Sequence, residues 1–156
     1  MLVTIIALGF AAMVDRGTAP IPFSQRLQFA IQIDLFIVVW LALAIGNVAR
    51  LRHSSEADIN ASLVEGGSAK VRVASAILQN TFEQVGLAVA THLILIATFD
   101  QARTVLVALV GLFTVGRALF WAGYNKGAAA RALGFGLTFY PSVLVLAVSM
   151  VAALVV

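Results

Sequence analysis

The sequence predicts an all-α integral membrane protein, a four-transmembrane-helix bundle with a short N-terminal apolar segment ahead of it. Three observations carry that prediction. The 156 residues are 62% hydrophobic and only 11% charged, with a mean hydropathy of +1.03, which lies outside the balance of a soluble domain. The apolar runs reach the roughly 20 residues that a helix needs to cross a ~30 Å hydrocarbon core. They are also continuous rather than alternating, which fits helices and not the strands of a barrel. A barrel is the only other architecture that satisfies its own backbone in lipid.

Residues 1–26 form a first unit, the apolar stretch MLVTIIALGFAAMV followed by the link DRGTAPIPFSQR. The stretch's 14 residues reach about 21 Å as a helix, short of the membrane core. The stretch is therefore an interfacial or packed extra helix, the end of a longer span, or part of a targeting sequence. A signal peptide fits less well, because no basic residue precedes the apolar run. Pro20 and Pro22 predict a non-helical link.

Residues 27–156 form the membrane domain, with spans over Leu27–Ala49, Val73–Phe99, Thr104–Tyr124 and Arg131–Val155. The longest polar segment, residues 50–72, separates the first two spans and carries Arg50, Arg52, Lys70 and Arg72. The hairpin at 125–131 adds Lys126 and Arg131, whereas Arg16, Arg26 and Arg103 fall on the opposite side. The positive-inside rule then places the long loop and the hairpin in the cytoplasm.

Composition also removes several chemistries. There is no cysteine, so any thiol chemistry must use a thiol brought by a substrate. The two histidines, His53 and His92, lack metal-ligand spacing, and no metal site is expected. A net charge of +3, with the basic residues near span ends, anchors helices to headgroups and does not suit nucleic acid.

Polar residues inside the spans locate the candidate site. Asn80 and Glu83 share one face of span two at i, i+3. At about 1.5 Å per residue, Glu83 and Arg117 of the antiparallel third span lie at matching depth, which predicts a pair between them. A bare charge there costs at least ~2.5 to 3.5 kcal/mol on insertion scales, so the pair serves either as a registry device or as part of a functional site. Asp34 and His92 are expected to meet nearer the other side, as mutual partners rather than as a proton relay. Gln28 and Gln32 add interhelical hydrogen bonds. In GRALFWAGYNKGAAARALGFGLTFYP, Gly123, Asn125 and Gly127 predict a break after span three. Tyr124 then closes that span and Arg131 opens the next, either as interfacial anchors or, with Arg117, Glu83 and Asn80, as an anion-binding pocket.

From Leu27 to the C-terminus the chain resembles the MAPEG family, the membrane-associated proteins in eicosanoid and glutathione metabolism. The resemblance rests on GNVARLR closing span one, the long polar loop, NTFE early in span two, and GRALFWAGYNKGAAAR through the last hairpin. The spacing in that last motif is similar to that of the leukotriene C synthases. The resemblance implies a homotrimer of four-helix bundles with glutathione, as co-substrate, held between subunits near the cytoplasmic side. By position, Asn80 and Glu83 hold its peptide part, Arg117 and Tyr124 line its pocket, Arg50 or Arg52 reaches a carboxylate, and Arg131 stabilises the thiolate. Many glutathione-using members carry an arginine where this chain has Ala76.

The function expected is a membrane-bound glutathione-dependent transferase or peroxidase acting on a lipophilic small molecule or lipid. A free thiol has a pKa near 8.5, and a neighbouring guanidinium favours its thiolate. The alternatives are a non-catalytic lipid-binding or scaffolding trimer and, from another class, a small transporter subunit using Asp34, His92 and Glu83.

Overall fold

A computed structural model of the chain describes residues 1–54, 56–59 and 67–155. Among them the order is α1 (Leu2–Arg16), α2 (Phe23–His53), α3 (Glu56–Ile59), α4 (Ala69–Thr98), α5 (Arg103–Gly123), a single 3₁₀ turn (Tyr124–Lys126) and α6 (Ala128–Val155). No strand occurs among the described residues. The stretches Phe23–His53, Ala69–Thr98, Arg103–Lys126 and Ala128–Val155 are each long and apolar enough to cross a membrane, so the chain is an integral membrane protein built on four spans. Part of the expected polar loop at 50–72, namely residue 55 and residues 60–66, lies outside the described residues.

Two boundaries differ from expectation. The link between α1 and α2 is shorter than the sequence implied, residues 17–22 only. Pro22 stands at the N-cap of α2, where a missing N–H breaks no helical bond, so Phe23 to Arg26 are already helical. At the other end of the bundle the polar loop is narrower too, because α2 continues through Arg50 and Arg52 to His53. The apolar N-terminal stretch is a packed extra helix: Leu8 and Ala11 are buried in one core cluster with Ala30 of α2, Leu95 of α4, Leu106 of α5 and Val145 of α6.

What sets the geometry of the bundle is the approach of α5 to α6. A Cβ added to Gly134 would sit 2.6 Å from the Gly116 carbonyl oxygen, and one added to Gly116 would sit 2.9 Å from that of Gly134. One added to Gly123 would meet the Ala130 carbonyl carbon at 2.7 Å. Small residues at helical spacing on both helices thus let the two backbones touch, the usual way helices associate where lipid removes the hydrophobic drive between them. The turn that joins them needs Gly127, whose φ of 99° lies in the region that side chains disfavour. On the far side of α5, Trp40 of α2 meets Trp121 edge-on, with ring centroids 5.6 Å apart. Pro141 lies inside α6 and removes one helical N–H donor; Ser142 Oγ donates back to the Thr138 carbonyl (3.1 Å) in the same turn.

The opposite end is tied by charges that cap other helices. Ala102, the N-cap of α5, offers no side-chain acceptor. Asp15 of α1 supplies one instead: its two carboxylate oxygens accept from Thr104 N and Val105 N, each at 2.9 Å. Arg26 Nη1 donates to the carbonyls of Ile96 in the last turn of α4 (2.6 Å) and of its C-cap Phe99 (2.7 Å), while Nη2 pairs with Asp100 at 2.9 Å. An anion at a helix N-terminus and a cation at a C-terminus both complement the helix dipole.

Two substitutions test this frame. Gly134→Val forces α5 and α6 apart and is expected to remove about 1 to 3 kcal/mol of stability, seen as a lower midpoint on thermal unfolding in detergent. Asp15→Ala strips the N-terminus of α5 of its acceptor and is expected to remove about 0.5 to 2 kcal/mol, while Asp15→Asn retains part of that by keeping one acceptor oxygen.

Candidate functional site

The C-terminal ends of α2 and α5 and the N-terminal ends of α4 and α6 lie at one end of the bundle, and most of the polar residues singled out from the sequence are there. Arg117 sits on α5 one residue past Gly116, where the close α5–α6 contact leaves its side chain no route to solvent. It is 0% exposed. Its Nη1 donates to Asn80 Oδ1 of α4 (2.9 Å) and its Nη2 to Thr138 Oγ1 of α6 (3.1 Å). Its Nε, also buried, has no partner. Arg117 thus binds three helices together through neutral groups and forms no ion pair among the described residues.

The expected Glu83–Arg117 pair is not formed. Three residues on from Asn80 the helix falls about 60° short of a full turn, enough to carry Glu83 off the face that meets Arg117. Its Oε1 accepts from Gln79 Nε2 (2.9 Å) one turn back on α4, and Glu83 is exposed on the outer surface of the bundle beside exposed Phe82. Asn80 occupies the position at Arg117 that was expected for the carboxylate.

From Arg117 the site continues as a ladder of rings. The guanidinium lies 4.4 Å from the Phe120 ring centroid. Phe120 meets Tyr124 edge-on at 5.4 Å, and the Arg131 guanidinium of α6 lies 4.4 Å from the Tyr124 ring centroid. Two cations therefore stand at the two ends of a pair of aromatic rings, each held by the quadrupole of the ring beside it. The break after α5 makes this possible: the 3₁₀ turn places Tyr124 at the corner, and Gly127 reverses the chain so that Arg131 returns over the ring.

A cavity of about 420 Å³ opens along this ladder. Asn80, Phe120, Tyr124, Arg131, Phe135 and Tyr140 line it together with two alanines, and among the described residues no carboxylate does. It falls within the ~300 to 1,000 Å³ range of small-molecule sites. Asn80, Tyr124 and Arg131 thus lie together on this cavity, with Arg117 one hydrogen bond behind Asn80. Arg50 and Arg52 are not among the lining residues. Arg50 is exposed near the end of α2, where its Nη2 donates to Asn47 Oδ1 (3.0 Å), and Arg52 is half-buried with an unpartnered Nε. Ala76 is exposed one turn before Asn80.

Thr138 and Phe120 were not singled out from the sequence. Thr138 follows Arg131 by seven residues, two turns along one face of α6, and that spacing is the signal that could have found it. Phe120 reads as an ordinary apolar span residue, and only its neighbours make it part of the site. Toward the other end of the bundle, Asp34 and His92 meet as expected: His92 Nδ1 lies 2.7 Å from Asp34 Oδ1, with both residues buried. Among the described residues no cluster of acids and histidines could hold a metal.

No characterised protein and no solved structure gives a significant match to the chain. Residues 30–154 match the model of the MAPEG family. That family consists of four-helix membrane bundles and carries membrane glutathione-related transferase or peroxidase function. The matched region begins within α2, runs through the other long helices almost to the end of α6, and leaves α1 outside it. With its four apolar spans, its reversed last hairpin and this match over nearly all of the membrane domain, the chain belongs to the MAPEG family.

Proposed function

We propose that the protein is a membrane-bound glutathione-dependent transferase or peroxidase, acting on lipophilic electrophiles that arrive from the bilayer. The observation that carries this reading is the excess of positive charge at the cavity. Arg131 lines it, Arg117 is fully buried behind Asn80 with neutral hydrogen-bond partners, and among the described residues no carboxylate lines the wall. A buried guanidinium without a counter-charge is costly, and an anionic ligand removes that cost. Glutathione fits the donor set, with two carboxylates for guanidinium and amide donors and a thiol that a guanidinium activates.

Glu83 supports a site shared between subunits. It lies 14 residues past Ala69, the first residue of α4, about 21 Å along the helix, and it is exposed where lipid would otherwise surround it. A carboxylate at such a position needs a polar partner. A neighbouring copy in a homotrimer, with the ammonium of glutathione bound between them, provides one. The spacing of Arg117, Tyr124 and Arg131, similar to that of the leukotriene C synthases, is consistent with the same arrangement, with the loop and hairpin of this end in the cytoplasm. Arg50 and Arg52 remain candidates for a carboxylate reaching toward that end from the next subunit.

The chemistry follows from the placement of Arg131. The thiol of glutathione loses its proton to solvent, the thiolate remains beside the guanidinium, and its sulfur attacks an electrophilic carbon. A sulfur–carbon bond forms as the bond from that carbon to the leaving atom breaks. Stacking on Tyr124 holds the guanidinium in place before the ligand arrives, so less ordering is left to the reaction. A second reading, a non-catalytic lipid-binding trimer, is favoured by one feature: Ala76 stands where many glutathione-using members carry arginine.

Three outcomes are expected. At neutral pH the bound glutathione of the wild type shows thiolate absorbance, and Arg131→Ala loses that signal while calorimetry still detects binding. Ala76→Arg tightens glutathione about tenfold, the worth of one charge-assisted hydrogen bond. Glu83→Gln weakens binding by a similar factor, although within one chain Glu83 touches only Gln79; unchanged affinity would assign Glu83 to the chain's own surface. Absence of any binding heat at millimolar glutathione, in the wild type and in Ala76→Arg alike, would leave the lipid-binding reading in its place.

A further inference from the structure

A cavity larger than the one at Arg131 lies elsewhere among the described residues. It lies at the opposite end of the bundle, between α1, the start of α5 and the later half of α6, and measures about 620 Å³. Its walls are mostly aliphatic, and one of them is α1, the helix that the family match leaves out. Along α1 the lining residues are Ile5, Leu8, Gly9, Ala12 and Arg16, a single stripe at helical spacing. From Ile5 to Arg16 that stripe runs about 16 Å. The facing wall is aliphatic as well, with Leu144 and Val148 of α6.

The stripe is apolar along its length and cationic at its end. Arg16 is exposed and has no ion pair or hydrogen bond among the described residues. The other polar groups at that mouth are already engaged: Asp100 pairs with Arg26, and Gln101 Nε2 donates to the Thr18 carbonyl. The mouth is level with the α4–α5 turn, at the end of the spans where a membrane interface lies, so the apolar stripe descends from the interface into the hydrocarbon region. An apolar groove with one exposed guanidinium at its mouth matches one alkyl chain with one carboxylate, which arginine binds through two parallel hydrogen bonds.

From this we infer that the α1 cavity is a binding site for a long-chain carboxylic acid, the acyl chain lying along the α1 stripe against α6 and the carboxylate on Arg16. The site is separate from the Arg131 cavity and independent of the glutathione reading. Asp15, one residue before Arg16, holds the end of α1 on α5 through its two bonds to Thr104 N and Val105 N. The cation is thereby kept at the mouth of the cavity.

Gly9 offers a direct test, because a Cβ built there meets no atom within 4 Å. Gly9→Phe fills the cavity without disturbing the helix, and Val148→Trp fills it from the opposite wall, where Val148 is exposed. The probe is cis-parinaric acid, a fluorescent fatty acid, titrated into the detergent-purified full chain. The expected result is saturable binding of one probe per chain. At least one of the two cavity-filling variants, retaining wild-type helicity and elution volume, should weaken it tenfold or more. Arg16→Gln should weaken it about tenfold, to the level at which the methyl ester of the same acid binds the wild type. Non-saturable uptake overturns the proposal. So do wild-type affinity in every folded cavity-filling variant and equal affinity for acid and ester. Displacement of the probe by phosphatidylglycerol but not by oleic acid would assign the cavity to a diacyl lipid and overturn it equally.

Discussion

Everything at the candidate site depends on how closely α5 and α6 approach. Gly116, Gly123 and Gly134 let the two backbones meet at distances that a single Cβ would prevent. In lipid, helices gain little from apolar contact alone, and close packing of small residues takes over that role. Arg117 is next to Gly116, so the approach that joins the helices also brings its guanidinium within reach of Thr138 on α6. It also sets the height at which the chain leaves α5, turns at Gly127 and returns with Arg131 over Tyr124. A shift of α6 by a turn, about 5.4 Å, would take Arg131 off the Tyr124 ring and Thr138 away from Arg117.

The two ends of the bundle solve different electrostatic problems. At the end away from the Arg131 cavity, two charges close helix termini that have no local cap. Asp15 caps α5, and Arg26 satisfies carbonyls at the C-terminal end of α4. Those charges are consumed by structure. At the other end Arg117 is held by two neutral side chains and Arg131 by a ring, so positive charge is left over beside a cavity. The difference matters because a low dielectric strengthens an unpaired charge's demand for a partner. It is the unspent charge that points to ligand binding.

The extra helix extends the family fold rather than decorating it. Leu8 and Ala11 enter a core shared by α2, α4, α5 and α6, and Asp15 ties α1 to the α5 N-terminus. One face of α1 is therefore structural. The stripe from Ile5 to Arg16 is a neighbouring face of the same helix, left unfilled by the bundle. A helix docked by its end and one edge naturally leaves such a groove, and the exposed Arg16 gives the groove a polar end.

The sequence by itself determined the class and the spans. Continuous apolar runs of sufficient length have one stable outcome in lipid, because each helix satisfies its own backbone. It also located the break between α5 and α6, since Gly127 and its neighbours are strong local signals, and the Asp34–His92 contact, since antiparallel helices of known rise place two polar residues at calculable depth. Depth, however, is only one coordinate. The direction of a side chain around its helix is the other, and helix packing decides it. That is why Glu83 and Arg117, at equal depth, do not meet, whereas Asn80 and Thr138 both reach Arg117. The caps from Asp15 and Arg26 were likewise invisible, because each satisfies a terminus about 70 or more residues away, and the sequence near α5 shows only an alanine at the cap. Local chemistry specified the helices; the close approach of α5 to α6 decided which of their polar groups share a site.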